Sequence, residues 1–179
     1  GSWTYRGNSP ASSPHPINEM AYDAARQQVV LFGGQSDAGL SDETWGWDGV
    51  SWVQQFPVIR PSARTAHAMA YDSARQVVVL FGGCGYAGCS DDTWEWDGTS
   101  WTERTPSVHP LALNQHAMAY DSARGVTVLF GGSGDSGYAN DTWEWDGETW
   151  TLQTPSVKPS GRNLASMVFD SRRGKIVVS

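Results

Sequence analysis

Residues 77–98 read Val-Val-Val-Leu-Phe-Gly-Gly-Cys-Gly-Tyr-Ala-Gly-Cys-Ser-Asp-Asp-Thr-Trp-Glu-Trp-Asp-Gly. The run Val77 to Phe81 is apolar at every position, the pattern of a short strand buried on both faces. Gly82-Gly83 ends it, where a backbone can bend or be approached closely. In Thr93-Trp94-Glu95-Trp96, period 2 puts both Trp on one face and Thr93 and Glu95 on the other. Asp97-Gly98 then signals a hairpin turn, and another strand starts at Trp101.

The same text recurs in fixed register. Phe-Gly-Gly begins at Phe32, Phe81 and Phe130, and Thr-Trp-x-Trp-Asp-Gly at Thr44, Thr93 and Thr142. Met-Ala-Tyr-Asp begins at Met20, Met69 and Met118, and returns as Met-Val-Phe-Asp at Met167. Every step is 49 residues. A further Trp falls at Trp52, Trp101 and Trp150, and its register extends back to Trp3, which places all 10 Trp. Each unit reads as four short strands. Strand a runs over His67 to Tyr71; a turn at Asp72 to Gln76 leads into strand b; strands c and d carry the Trp.

One such sheet cannot bury two faces alone, whereas copies stacked on each other can. Small Ala68 and Ala70 in strand a suit a crowded axis, and large Trp suit the wider gaps further out. The expected fold is all-β: a β-propeller of four-stranded antiparallel blades. The units fall at about 15–63, 64–112 and 113–161, with a partial unit at 162–179 and an N-terminal strand d at 2–6. The paired glycines, the Asp-Thr-Trp-x-Trp-Asp-Gly string and the following Trp resemble kelch repeats. They are most similar to the bacterial type related to the central domain of galactose oxidase. The resemblance implies a kelch propeller, and such rings usually hold six or seven blades. It does not carry over that enzyme's copper chemistry, because no tyrosine and histidine ligand set is matched residue by residue.

Composition narrows the function. Aromatic residues reach 12% and charged residues only 17%, which excludes disorder. No apolar run approaches the roughly 18 residues of a membrane-spanning helix. The net charge of −7 argues against nucleic acid or an anionic membrane as partner. No nucleophile elbow, phosphate loop or paired-carboxylate motif stands out, so no catalytic residue and no cofactor is assigned. The cysteines lack zinc spacing, and no metal site is assigned.

The a–b and c–d turns share one face of a propeller and are nearly uniform here. Asp23/Arg26, Asp72/Arg75, Asp121/Arg124 and Asp170/Arg173 read as surface pairs worth about 0–1 kcal/mol each. The b–c and d–a loops share the other face and diverge between units, as binding loops on a rigid scaffold do. That face carries Tyr86 and Tyr138. It also carries Cys84 and Cys89, read as a local disulfide that implies a secreted or periplasmic setting, with two free thiols as the alternative. His67 and His116 share one register with Asn18 and Ala165; Arg64 and Arg162 share another with His15 and Leu113. These positions are expected at the channel mouth, either as ligand contacts or as loop caps. Glu19 stands where the other units have Ala68, Ala117 and Ser166.

The expected function is a non-catalytic scaffold binding a protein or glycan through the divergent face. Because the ends of the sequence fall within a blade, ring completion by a second copy is expected, with two chains per ring; a self-closed four-bladed ring, with the Trp3 strand completing the last blade, is the alternative. The alternatives are an enzyme with its site at the channel mouth, and a truncated or engineered propeller piece without a ligand of its own. The leading Gly1-Ser2 reads as a cloning scar.

Overall fold

The computed structural model describes residues 19–179. The expected strand at 2–6, and with it Trp3, His15 and Asn18, lies outside the described residues. Three four-stranded antiparallel sheets follow one another, each a meander in chain order. The first blade comprises strands Glu19–Asp23, Gln28–Phe32, Thr44–Trp47 and Trp52–Gln55. The second comprises Ala68–Asp72, Val77–Phe81, Thr93–Trp96 and Trp101–Arg104. The third comprises Ala117–Asp121, Val126–Phe130, Thr142–Trp145 and Trp150–Gln153. A fourth sheet holds two strands, Met167–Asp170 and Lys175–Val178. Strands a pack on one another in succession from the first blade to the fourth, so the alanine-rich strands form the inner wall.

The hydrophobic cores lie between blades. One is made of Val30 and Phe32 of the first blade with Val78, Leu80, Trp96 and Trp101 of the second. The other joins Val79 and Phe81 of the second blade to Leu129, Trp145 and Trp150 of the third. Alternate residues of one strand b thus serve opposite neighbours, which is why Val77 to Phe81 contains no polar residue. The contacts repeat. Trp101 meets Phe32 edge-on at 5.2 Å and Trp150 meets Phe81 at 5.3 Å. Their indole N–H groups donate to Thr44 and Thr93, each at 2.9 Å.

Strand c adds a polar tie. Trp145 Nε1 donates to Glu95 Oε1 of the preceding blade at 2.9 Å. Trp96 Nε1 is the equivalent donor one unit earlier, and it is buried without a partner among the described residues. The position that Glu95 fills is Gly46 in the first blade. Gly46→Glu would supply the missing carboxylate, with Arg26 in the register of Arg75 to pair with it. The new Cβ would sit 2.8 Å from Gln28 Oε1, the end of a flexible side chain that can turn aside. Removing a glycine from a strand also helps. The expected gain is about 1 kcal/mol, the hydrogen bond to a charged group being partly offset by carboxylate desolvation. Urea unfolding checks it; a lower midpoint would mean that the blade does not accommodate the carboxylate.

The a–b turns differ from their reading as surface pairs. Asp23, Asp72 and Asp121 are buried. Asp72 Oδ1 accepts the N–H groups of Ala74 and Arg75, and Oδ2 accepts Arg75 Nε at 2.8 Å. Arg75 then continues to Glu95, tying the turn to strand c. The turn therefore organises the blade from inside.

Candidate binding face

The b–c segments, expected as irregular loops, are two-residue β-ribbons. They pair Gln35–Ser36 with Gly39–Leu40, Cys84–Gly85 with Gly88–Cys89, and Ser133–Gly134 with Gly137–Tyr138. Cys84 and Cys89 face each other across the second ribbon and are disulfide-bonded. Two d–a loops are stitched to ribbons: Thr65 bridges Cys84, and Asn114 bridges Ser133. The glycine pairs make room for this. A Cβ on Gly83 (φ +89°) would lie 2.7 Å from His67 Cβ, and one on Gly82 (φ +64°) would lie 2.7 Å from the Leu113 carbonyl oxygen. Both the left-handed backbone and the close approach require glycine.

The candidate residues divide by depth. Arg64 is 1% exposed and already engaged. Its Nη1 and Nη2 donate to the two oxygens of Asp92 at 2.5 and 2.8 Å, and Nη1 also reaches the Gly82 carbonyl at 3.0 Å. Burial pushes the Asp92 carboxyl up, but the Arg64 hydrogen bonds and charge outweigh that and hold it below the usual carboxylate range. Trp94 Nε1 donates to the same carboxylate at 2.7 Å.

His67 is 1% exposed and His116 is also buried. They meet Phe32 and Phe81 edge-on, with ring centroids 5.7 and 5.5 Å apart. Among the described residues, neither His67 nitrogen has a hydrogen-bond partner. The Phe81 carbonyl favours the protonated form of His116 but is not in hydrogen-bond geometry with it. Burial, then the nearby Arg64 charge, lowers His67 to about 3. Burial lowers His116 to about 4. Both rings are neutral plugs between blades. Glu19, at the inner strand of the first blade, has its carboxyl pushed up to about 7 by burial.

Tyr86, Tyr138 and Arg162 lie nearer the surface. Tyr86 is 78% exposed, and its hydroxyl accepts the Leu40 N–H at 2.8 Å, so it leans across to the first blade's ribbon. Arg162 Nε donates to the Ser160 carbonyl at 3.3 Å. Tyr138 lines a cavity of about 480 Å³ between the d–a loop at 110–113 and the third ribbon. Asp91, Asp135, Asp141, Leu111, Leu113 and Trp143 also line it. Sequence reading put Leu113 in the register of Arg64 and Tyr138 on this face, but did not single out the three aspartates. Their signal lay in the repeat register, where Leu113 replaces Arg64 and Asp135 replaces Tyr86. Among the described residues, no group of three or more His, Cys, Asp or Glu is placed to hold a metal ion.

Blades of four antiparallel strands, wedged together by Trp around alanine-rich inner strands, define the propeller class. The model of the KLHDC2/KLHL20/DRC7 Kelch-repeats domain matches residues 47–178. The chain belongs to the kelch-repeat family. No curated protein matches it.

Proposed function

We propose that this kelch-repeat chain is a non-catalytic scaffold that binds a protein through its ribbon face and completes its ring with a second copy. The observation that carries the binding reading is the division of the surface. The a–b and c–d turns repeat almost unchanged, while the ribbons and d–a loops diverge and enclose a cavity. In this reading Tyr86, Tyr138 and Arg162 supply contacts, and Arg64, His67 and His116 hold the floor beneath them. A glycan is the second reading, favoured by the exposed rings of Tyr86 and Tyr138.

Self-completion rests on the end blades. Met20 is 52% exposed, whereas its counterpart Met69 is 6% exposed within a core. Val168, at 60%, occupies the register of Ala119, which is buried. The first blade therefore offers the face that normally meets a preceding blade, and the last offers the face that meets a following one. Two such faces are complementary in a head-to-tail contact. Light scattering should give a particle of twice the 19.5 kDa chain mass. Met20→Glu with Val168→Glu should return it to a single chain. A single-chain mass for the parent would overturn self-completion.

A further inference from the structure

We infer that the cavity between the second and third blades is a docking site for an arginine side chain of a protein partner. This rests on the ribbon face being the binding face and names the chemistry it would read. The molecule's own repeat supplies the precedent. One unit earlier, the register of this cavity holds the Arg64 guanidinium, clamped by both oxygens of Asp92 with Trp94 beside it. In the third unit the carboxylate is kept as Asp141 and the Trp as Trp143, but the arginine is replaced by Leu113. The chain retains the acceptor but no longer places an arginine on it; Lys158 is the cation that it keeps there.

The rest of the lining agrees. Where Tyr86 leans over the earlier ribbon, the third ribbon has Asp135, which adds a carboxylate to the cavity. Asp91 adds another, with His109 Nδ1 3.7 Å from it. Asp141 Oδ1 accepts Lys158 Nζ at 2.9 Å, and the Asp141 side chain is 46% exposed. Among the described residues, no lysine or arginine lines the cavity, Lys158 reaching Asp141 without lining it. Leu111, Leu113 and Trp143 provide apolar walls for the aliphatic stem of an arginine, which buries its methylenes while its head is paired. A planar, delocalised guanidinium matches a carboxylate in two hydrogen bonds, as an ammonium does not.

The test is titration of the full chain with acetyl-Leu-Arg-Leu-amide, followed by NMR shifts of the Trp143 and Ala139 amides. The citrulline peptide, which keeps the shape without the charge, should bind roughly tenfold more weakly. So should Asp141→Asn toward the arginine peptide. Leu113→Arg should abolish binding by filling the site from within, as Arg64 does, and the parent's thermal midpoint serves as the check on folding. The peptide should also bind several-fold more tightly than free arginine, through contacts beside the guanidinium. Equal affinity for arginine and citrulline, or undiminished binding to Leu113→Arg, would overturn the assignment. Equal affinity for free arginine would overturn a protein partner. If shifts from a citrulline-indifferent peptide still map to the ribbons, the guanidinium assignment falls and the ribbon-face reading stands. Absence of shifts with every peptide would count against both.

Discussion

Lowering the pH from 6.5 toward 4.5 should destabilise the chain steeply, with the two buried histidines contributing up to about 2.7 kcal/mol per pH unit. Both are neutral when folded, held at about 3 and about 4 against an ordinary value of 6.5. In that interval the unfolded chain binds two protons that the folded chain refuses. Each such proton costs about 1.36 kcal/mol of stability per pH unit once the unfolded histidine is fully charged. The contribution is therefore complete above pH 6.5, lost on acidification, and exhausted below the folded values. Glu19 acts in the opposite direction. Its carboxyl is raised to about 7 from 4.5, so the folded chain binds that proton first and gains stability as pH falls toward 4.5. Being partly exposed, it offsets the loss only in part. The comparison that isolates the histidines is the double variant His67→Phe, His116→Phe, which keeps a ring against Phe32 and Phe81. Urea unfolding at pH 7, 6 and 5 should give a flatter dependence for the variant. Parallel slopes would mean that the histidines are not neutral plugs.

The second large effect is expected at Glu95. Its side chain is buried and serves four donors: Trp145 Nε1 at 2.9 Å, Arg104 Nε at 2.8 Å, Arg104 Nη2 at 2.7 Å, and Arg75 Nη1. Glu95→Ala leaves an indole N–H and two guanidinium groups without their shared acceptor. A loss of about 3–5 kcal/mol is expected, as for other buried pairs broken on one side. Glu95→Gln keeps an acceptor and should lose less. Glu144 is the internal control. It pairs with Arg124 at 2.5 Å and Gln153 at 3.1 Å, but Arg124 is half exposed and, among the described residues, no following Trp donates to Glu144. Glu144→Ala should cost about 1 kcal/mol or less. Denaturant unfolding of both variants decides it; equal losses would show that the Trp145 tie contributes nothing.

These residues mark where sequence reading stops. The 49-residue register and the two-faced strand b placed the blades, because burial on both sides leaves a strong, local signature. Period 2 also set Glu95 opposite the Trp pair. It did not reveal that this opposite face is an interface too, since a lone Glu in a strand looks solvated. The ribbons were read as loops because two-residue strands are too short for any periodicity to register. The histidines share a register that leads toward the axis, yet their burial depends on Gly83 and Gly132, sixteen residues further on, admitting a loop. That is tertiary information. The cavity was readable in principle, because Arg64 and Leu113 stand in one column of the repeat. That Asp135 and Asp141 line one cavity with Leu113 is again tertiary information.

The position of the cores between blades, not within them, has an arithmetic consequence. In an arc of n blades there are n − 1 cores; in a ring there are n. Closing the ring thus adds a whole core without ordering any further chain, whereas lengthening the arc by one blade adds a core only after ordering another sheet. The second blade belongs to both described cores, and the first and third to one each. Opening should accordingly begin at the rim of the arc and move inward, with the second blade, Val77 to Phe81 at its centre, the last to exchange its amide protons.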